Sequence, residues 1–518
     1  MVLKKLFEIF GGSKASNATN VKGDHNTVIN TVVQGGAAVP LPLRKTQWTP
    51  QLQGGAGVAA LLGWQSRWVP LLGRQAELAE LVAWRDQAHP LSIKLLSAPG
   101  GAGKTRLAAE FSEHQAQGWQ HGWVGLREFE QAEGLTWQGQ WLLIVDYPEH
   151  DLVGLERLAR VLTRLQPMAQ QRLRVLLLVR EADSVERVLT EQRCAAFMAP
   201  RLALPDLPAP EGWSLFEQAM AHLKDSTQVA APPVTAQAFA DWQATNALHR
   251  SPLFVLAQAV FWMAEAPTGR ASGHRWLQGG ALLAALVGME RAVWQRAETG
   301  YQAPAGSVQA TLAWATLCGG LTAAQINEHL APAWGWSHAD VHALHNSLNS
   351  MGRLTAAQAC TPMAPDLLAA QFVTQAWQQP AWQGGPQTQR DARLAAALLP
   401  VNDPPLFAQQ LNRLHMLAYD QTVRLAACSP DAGHSVERLL QCWAGLELTF
   451  ESALVRGLNG RVQWTAFARL AVFLGRKALS DRGSTMSDEQ RARELNNWSV
   501  RLSETGDRAG ALAPAKEA

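Results

Sequence analysis

Eight consecutive residues, Ala98-Pro99-Gly100-Gly101-Ala102-Gly103-Lys104-Thr105, have the types and spacing that hold a phosphate. Small residues let successive backbone N–H groups curl around an anion. Lys104 has the reach to neutralise β- and γ-phosphate oxygens, and the Thr105 hydroxyl is an oxygen ligand suited to Mg²⁺. A helix beginning here would point the positive end of its dipole at the same anion. The run has the P-loop form, with Ala98 standing where glycine is usual. Pro99, Gly100, Gly101, Ala102, Gly103, Lys104, Thr105 and Arg106 are therefore expected to contact a nucleotide.

A second run, Leu142-Leu143-Ile144-Val145-Asp146, is an apolar stretch ending in a carboxylate. That is the Walker B arrangement, and Asp146 is expected to hold Mg²⁺ together with Thr105. It follows Lys104 by 42 positions, room for a helix, a strand and a crossover. Glu149 could orient or deprotonate an attacking water, or it could be a solvated loop acid or helix cap. Arg180 stands at the end of the next apolar strand, 174–181, and could stabilise charge on a transferred phosphate, or pair with a nearby acid. The candidate catalytic set is Lys104, Asp146, Glu149 and Arg180.

These residues need a scaffold. WLLIVDYPE (141–149) and RVLLLVRE (174–181) read as strands too apolar for a half-exposed sheet, so they suit the centre of a parallel sheet covered on both faces, and Ile93–Leu96 reads as a third strand before the loop. Residues 151–165 have helical apolar periodicity between two of them, which implies right-handed crossovers in an α/β sheet. Beyond about residue 205 the chain reads as helix after helix. Trp262, Trp276, Trp294, Trp314, Trp336, Trp377 and Trp443 are spread through that part and read as helix-packing residues.

The 518 residues suggest about three domains. A net charge of +2 argues against a generally basic nucleic-acid binder, so no nucleic-acid partner is expected. Five cysteines, Cys194, Cys318, Cys360, Cys428 and Cys442, have neither disulfide-framework nor zinc spacing and read as buried thiols. No run approaches the ~20 apolar residues of a membrane span. MVLKKLFEIF has too short an apolar run for a signal peptide. A cytoplasmic chain without a membrane partner is the expectation.

Taken in order, these segments resemble the signal-transduction ATPases with numerous domains, the STAND group that includes NACHT and NB-ARC proteins. The resemblance is to bacterial members that end in tetratricopeptide repeats. Val69-Pro70-Leu71-Leu72-Gly73-Arg74 with Glu77-Leu78 is similar to the group's VPFVGRE-x-EL opening, and residues 98–108 to its GPGGAGKTRLA loop. Val145-Asp146-Tyr147-Pro148-Glu149 is similar to VDYAE, and Leu176-Leu177-Leu178-Val179-Arg180 to its strand-plus-Arg. Arg250-Ser251-Pro252-Leu253 stands where the group has a GxP-like motif, whose Pro packs near the adenine. Ala315-Thr316-Leu317-Cys318-Gly319-Gly320 and Pro365-Asp366-Leu367-Leu368 resemble winged-helix landmarks. The likeness runs over about residues 64–518.

The resemblance implies ATP/ADP and Mg²⁺ as cofactors, with Val69, Pro70, Arg74 and Pro252 added to the nucleotide contacts. It implies an α/β P-loop NTPase sheet followed by an all-α helical lid, a winged-helix region and a helical, TPR-like arm. The corresponding division is 1–60 arm and linker, 61–207 NTPase, 208–280 lid, 281–380 winged helix, 381–488 helical arm and 489–518 partial repeat. There are departures. Ser251 replaces Gly before Pro252, and no His stands near Thr361-Pro362-Met363, where relatives contact the ADP β-phosphate. Tyr147 follows Asp146 where AAA+ motors usually carry Glu, which favours a slow switch over a motor.

Two end segments complete the sequence. With Ser499 at repeat position 8, Leu502, Gly506, Ala511, Ala515 and Ala518 fill the other small or apolar positions of a tetratricopeptide repeat. The chain stops within that repeat, so it is either a shortened version of longer relatives or docks its stub on preceding helices. Residues 1–10 read as an amphipathic helix. Residues 21–36 (VKGDHNTVINTVVQGG) alternate β-branched and polar residues, which suits a hairpin, a flexible leader, or a strand that stacks with copies of itself. The resemblance suggests the last, with an effector recruited through residues 21–36.

The functional expectation is an ADP-closed, ATP-open switch with slow hydrolysis that self-oligomerises on activation. The trigger would be sensed by the C-terminal helices, and the resemblance implies conflict signalling such as antiphage defence. Two other readings stand beside it: a TPR-type scaffold with a structural nucleotide site, and an AAA+-like motor.

Overall fold

The apolar runs read as strands do form the centre of a parallel sheet. The computed structural model describes residues 43–48, 57–113, 118–131, 139–165, 171–180, 182–227, 229, 233–265, 276–378, 486–504 and 507–518, with isolated positions between 390 and 479. The amphipathic helix at 1–10, the segment 21–36, Cys428, Cys442 and Trp443 lie outside the described residues. The chain divides into two compact units, residues 1–293 and 294–518.

In the first unit the strands are β1 (Leu91–Ser97), β2 (Trp119–Trp123), β3 (Gln140–Asp146), β4 (Arg172–Val179) and β5 (Leu202–Ala203). Their order is β2-β3-β4-β1-β5, and every pair is parallel. Side chains alternate between the two faces, as the strand period demands. Ile93, Leu95, Leu143, Val145, Val175 and Leu177 join one core with α4 (Leu152–Arg164) and α5 (Ala182–Glu191). Leu96, Leu142, Ile144, Leu176 and Leu178 join the other, with α2 (Gln75–Asp86) and α3 (Lys104–Glu113). Both faces are covered, which is why these strands read as nearly continuous apolar runs.

The strand order matters for the site. β1 carries the phosphate-type loop and β3 ends in Asp146, yet they are not neighbours; β4 lies between them. Whatever follows β4 is therefore delivered to the gap between the two.

One edge of the sheet is covered from the N-terminal side. Arg44 donates its N–H to the Trp123 carbonyl at 2.9 Å and accepts the Trp123 N–H at 2.8 Å. A Cβ on Gly122 would lie 2.9 Å from the Leu43 Cβ, so glycine is what permits this approach. Covering an edge in this way removes a free template for pairing with another chain.

Arg174 on β4 is fully buried, and it works as a helix cap. Its guanidinium donates to the carbonyls of Trp84, Arg85, Gln87 and His89 at the end of α2, and to that of Leu173. Burial draws its pKa down to about 10. Arg174→Met is expected to destabilise the first unit by about 3 kcal/mol, because it leaves several buried carbonyls without donors. Chemical denaturation measures this; a midpoint equal to the parent's would refute it.

Helices follow the sheet. α6 (Ala209–Thr227) packs along α8 (Pro252–Glu265), with α7 (Ala236–Thr245) beside α6. Trp213, Phe216, Phe239, Trp242, Trp262 and Trp276 form one aromatic cluster there, with centroids 4.8–6.1 Å apart. α1 (Val58–Leu62) begins at Gly57, and the Glu290 carboxylate on α9 (Gly279–Tyr301) accepts the Ala59 N–H at that helix end.

The second unit carries α10 (Ser307–Cys318), the helical segment α11 (323–334, with a π-turn at Ile326–Leu330), α12 (His338–Ser350) and α13 (Asp366–Gln378). Cys360 bridges antiparallel to both Leu321 and Leu354. In chain order this is a helix, a bridge, two further helical segments and a paired bridge. Last come α14 (Asp488–Glu504) and α15 (Arg508–Glu517), where the Ser499 hydroxyl donates to the Ala511 carbonyl at 2.8 Å. Leu502 and Ala511 are buried between them, while Ala515 and Ala518 are exposed.

Trp262, Trp294 and Trp314 are buried, as packing residues should be. Cys194, Cys318 and Cys360 are free and buried; burial pushes their thiols up to about 11, 12 and 12. No helix among the described residues is long and apolar enough to cross a membrane.

Candidate nucleotide site

The site lies at the C-terminal ends of β1, β3 and β4, where open parallel sheets usually bind ligands. β1 ends at Ser97, and α3 starts at Lys104. The six residues between them form the loop. Gly101 and Gly103 have φ of +82° and +93°, which glycine adopts without the Cβ clash of other residues. Among the described residues, a Cβ added to Gly103 would meet only the Pro252 ring, at 3.8 Å. The loop is thus a backbone cradle roofed by one proline.

Lys104 is 4% exposed, and its ammonium donates to the carbonyls of Ala98 and Pro99. It is folded onto its own loop. The Thr105 hydroxyl donates to Asp146 Oδ2 at 3.3 Å, so the two oxygen ligands expected for Mg²⁺ are already side by side. This hard, oxygen-only pair beside an anion cradle fits Mg²⁺ bound with phosphate. Glu149 sits in a short turn after β3, and its Oε1 accepts the Arg180 backbone N–H at 2.7 Å. Burial pushes the Glu149 carboxyl above the usual carboxylate range, against the opposing pull of that bond and of the Lys104 and Arg180 charges. Its second oxygen, Oε2, is buried with no hydrogen-bond partner among the described residues. The structure therefore brings Lys104, Thr105, Asp146, Glu149 and Arg180 to one edge of the sheet.

The segment leading into the sheet braces the loop. Arg74 is 3% exposed; it pairs with Glu77 at 3.0 Å and donates to the carbonyls of Ala102 and Pro205. Gly73 before it has φ +63°, and a Cβ there would press on Glu211 and Leu207 at 3.0–3.1 Å. Arg106 donates to the carbonyls of Trp64 and Val69 and pairs with Glu110 at 2.7 Å. Its guanidinium lies 4.9 Å from the Trp48 ring, so it anchors the leading segment to α3. Val69 is buried and Pro70 exposed.

Pro252 opens α8, and the next residue joins the site directly. The Leu253 N–H donates to the Gly101 carbonyl at 3.3 Å. The start of α8 is thereby hydrogen-bonded to the loop itself. Sequence reading reached Pro252 only through a family resemblance. It missed the Leu253 bond, because a backbone donor leaves no trace in residue type.

No protein-family model matches the chain. No curated protein matches it in sequence. Among solved structures it is similar to the ORC1 protein of Aeropyrum pernix in complex with DNA, at 15% identity over 60% of this chain and 93% of that one, with a TM-score of 0.30. A Walker-type ATPase of Pyrococcus abyssi matches at 12% identity, over 58% of this chain and 96% of that one, with a TM-score of 0.30. A STAND protein with a tetratricopeptide repeat sensor from Pyrococcus horikoshii matches at 10% identity. It covers 86% of this chain and 76% of that one, with a TM-score of 0.27. Likenesses this distant transfer no residue role to this chain.

Proposed function

We propose that the chain is an ATP-binding signal-transduction switch of the STAND type with slow hydrolysis. The observation that carries this reading is the Leu253–Gly101 hydrogen bond, with Pro252 over Gly103. The peptide that would cradle phosphate is the one the lid holds. A change at the phosphate therefore alters a lid contact, and the coupling runs both ways.

In this reading the loop amides and the start of α3 bind the phosphates of ATP or ADP, and Lys104 leaves the carbonyls of Ala98 and Pro99 to neutralise them. Thr105 and Asp146 hold Mg²⁺, which when bound supplies positive charge at the terminal phosphates. Glu149 accepts a proton from water, and Arg180 faces the charge on the transferred phosphate. Tyr147 in place of a second acid keeps turnover slow. The helices from α6 to α8 act as the lid, and the winged-helix region and the α14–α15 pair belong to the sensing half. The trigger acts there, activation produces a self-oligomer, and residues 21–36 pass the signal to an effector, in conflict signalling such as antiphage defence.

A switch needs different affinities for its two nucleotides in its two states. Titration calorimetry of the full chain with Mg·ADP and a non-hydrolysable Mg·ATP analogue tests this. One site per chain and affinities about tenfold or more apart are expected. Equal affinities would leave only a structural nucleotide and would overturn the switch.

A further inference from the structure

The backbone after β3 adopts an unusual conformation. Tyr147 has φ 53° and ψ 52°, in the left-handed region, and its N–H is tied to the Leu178 carbonyl at 3.0 Å. Glycine or asparagine takes this conformation more easily than a bulky residue. Such a residue persists where its surroundings hold it, and functional turns are where these residues collect.

The turn directs the Tyr147 ring. The Arg180 guanidinium carbon lies 5.2 Å from the ring centroid and the Lys104 ammonium 5.9 Å. The His150 imidazole stacks on the ring at 4.9 Å, with 5° between the planes. One aromatic ring thus engages both cations that the proposed function assigns to phosphate. Contacts of this length are attractive, and they strengthen as water is excluded.

We propose that Tyr147 is a specificity-determining residue that sets the balance between nucleoside triphosphate and diphosphate. This rests on the reading of the site as a nucleotide switch. With diphosphate bound, Arg180 stays on the ring. Lys104 serves the phosphates of either nucleotide, but a triphosphate also draws Arg180 to its terminal phosphate and so gives up the Arg180 contact with the ring that the diphosphate keeps. The ring therefore weighs against the triphosphate state, and the strained turn holds it in place. Residue type alone did not reveal this, because the sequence shows Tyr147 only as a departure from the usual acid.

The test measures the affinities of Mg·ADP and of a non-hydrolysable Mg·ATP analogue for the full chain. Tyr147→Asn removes the ring and tolerates the left-handed backbone. It is expected to raise the triphosphate-to-diphosphate affinity ratio by about fivefold or more. Tyr147→Phe retains the ring and is expected to keep the ratio within about twofold of the parent. An unchanged ratio in Tyr147→Asn overturns the proposal, and so does an equal change in Tyr147→Phe, which would assign the effect to the hydroxyl. If the asparagine variant does not fold, Tyr147→Gly, also at ease at positive φ, carries the same expectation. A parent chain that binds neither nucleotide overturns the underlying reading of the site, whereas a flat ratio in a chain that binds both overturns only the role of Tyr147.

Discussion

Lys104→Ala is expected to weaken the binding of Mg·ATP and Mg·ADP about 100-fold while the chain stays folded. Removing a buried cation from a phosphate costs about 3 kcal/mol, and each 1.4 kcal/mol is tenfold in affinity. The fold should tolerate the change. Without nucleotide the ammonium caps two carbonyls of its own loop, and neither core cluster includes Lys104. A thermal-shift experiment separates the two effects. At 100 times its Kd a ligand adds about 2.7 kcal/mol to stability, so the parent's melting point should rise with nucleotide. The variant's should rise only slightly, because the same ligand concentration is then about its Kd and adds about 0.4 kcal/mol, while its melting point without ligand stays near the parent's. A variant that still gains the full shift would show that nucleotide does not bind at this loop.

Glu149→Gln is expected to act in opposite directions on turnover and on stability. Turnover should fall about 10²- to 10⁴-fold, because the amide cannot accept a proton from water. Nucleotide affinity should be little changed. Stability at neutral pH should rise, and the sign follows from burial. The folded state raises the Glu149 pKa above its unfolded value. Below the unfolded pKa the carboxyl is protonated in both states and costs nothing. As pH rises through the folded pKa, the carboxylate forms in an unfavourable environment and stability is lost. Glutamine remains neutral throughout and can still accept the Arg180 N–H through its carbonyl. By the same shift, parent turnover should have an acid limb above the ordinary glutamate pKa of about 4.3. Single-turnover hydrolysis and melting, both followed against pH, measure these effects. A variant that is less stable and turns over at the parent's rate would make Glu149 a structural acid.

Much of the site was legible because chemistry and strand pattern coincide in it. The loop 98–105, Asp146 and Arg180 each sit at the end of an apolar run, and those runs became β1, β3 and β4. The edge strands did not show. β2 is WQHGW, whose small and polar residues break the pattern, and β5 is two residues long. The pairing of Arg44 with Trp123 was invisible because backbone atoms make it, and residues 1–60 read as an arm and linker. Arg174 was read as part of a strand; only its position under the end of α2 shows that it caps that helix. The conformation of Tyr147 was also hidden, because residue type does not encode φ. The aromatic cluster around α6, α7 and α8 was missed because its members lie far apart in sequence, from Trp213 to Trp276.

The central claim is that nucleotide bound at loop 98–105 sets the state of the whole chain. Sedimentation velocity of full-length Glu149→Gln, in which bound ATP persists, tests it most directly. The account predicts a monomer in Mg·ADP and a larger assembly in Mg·ATP. It also predicts that adding Lys104→Ala abolishes the difference. The same mass in both nucleotides, with both shown to be bound, would contradict it.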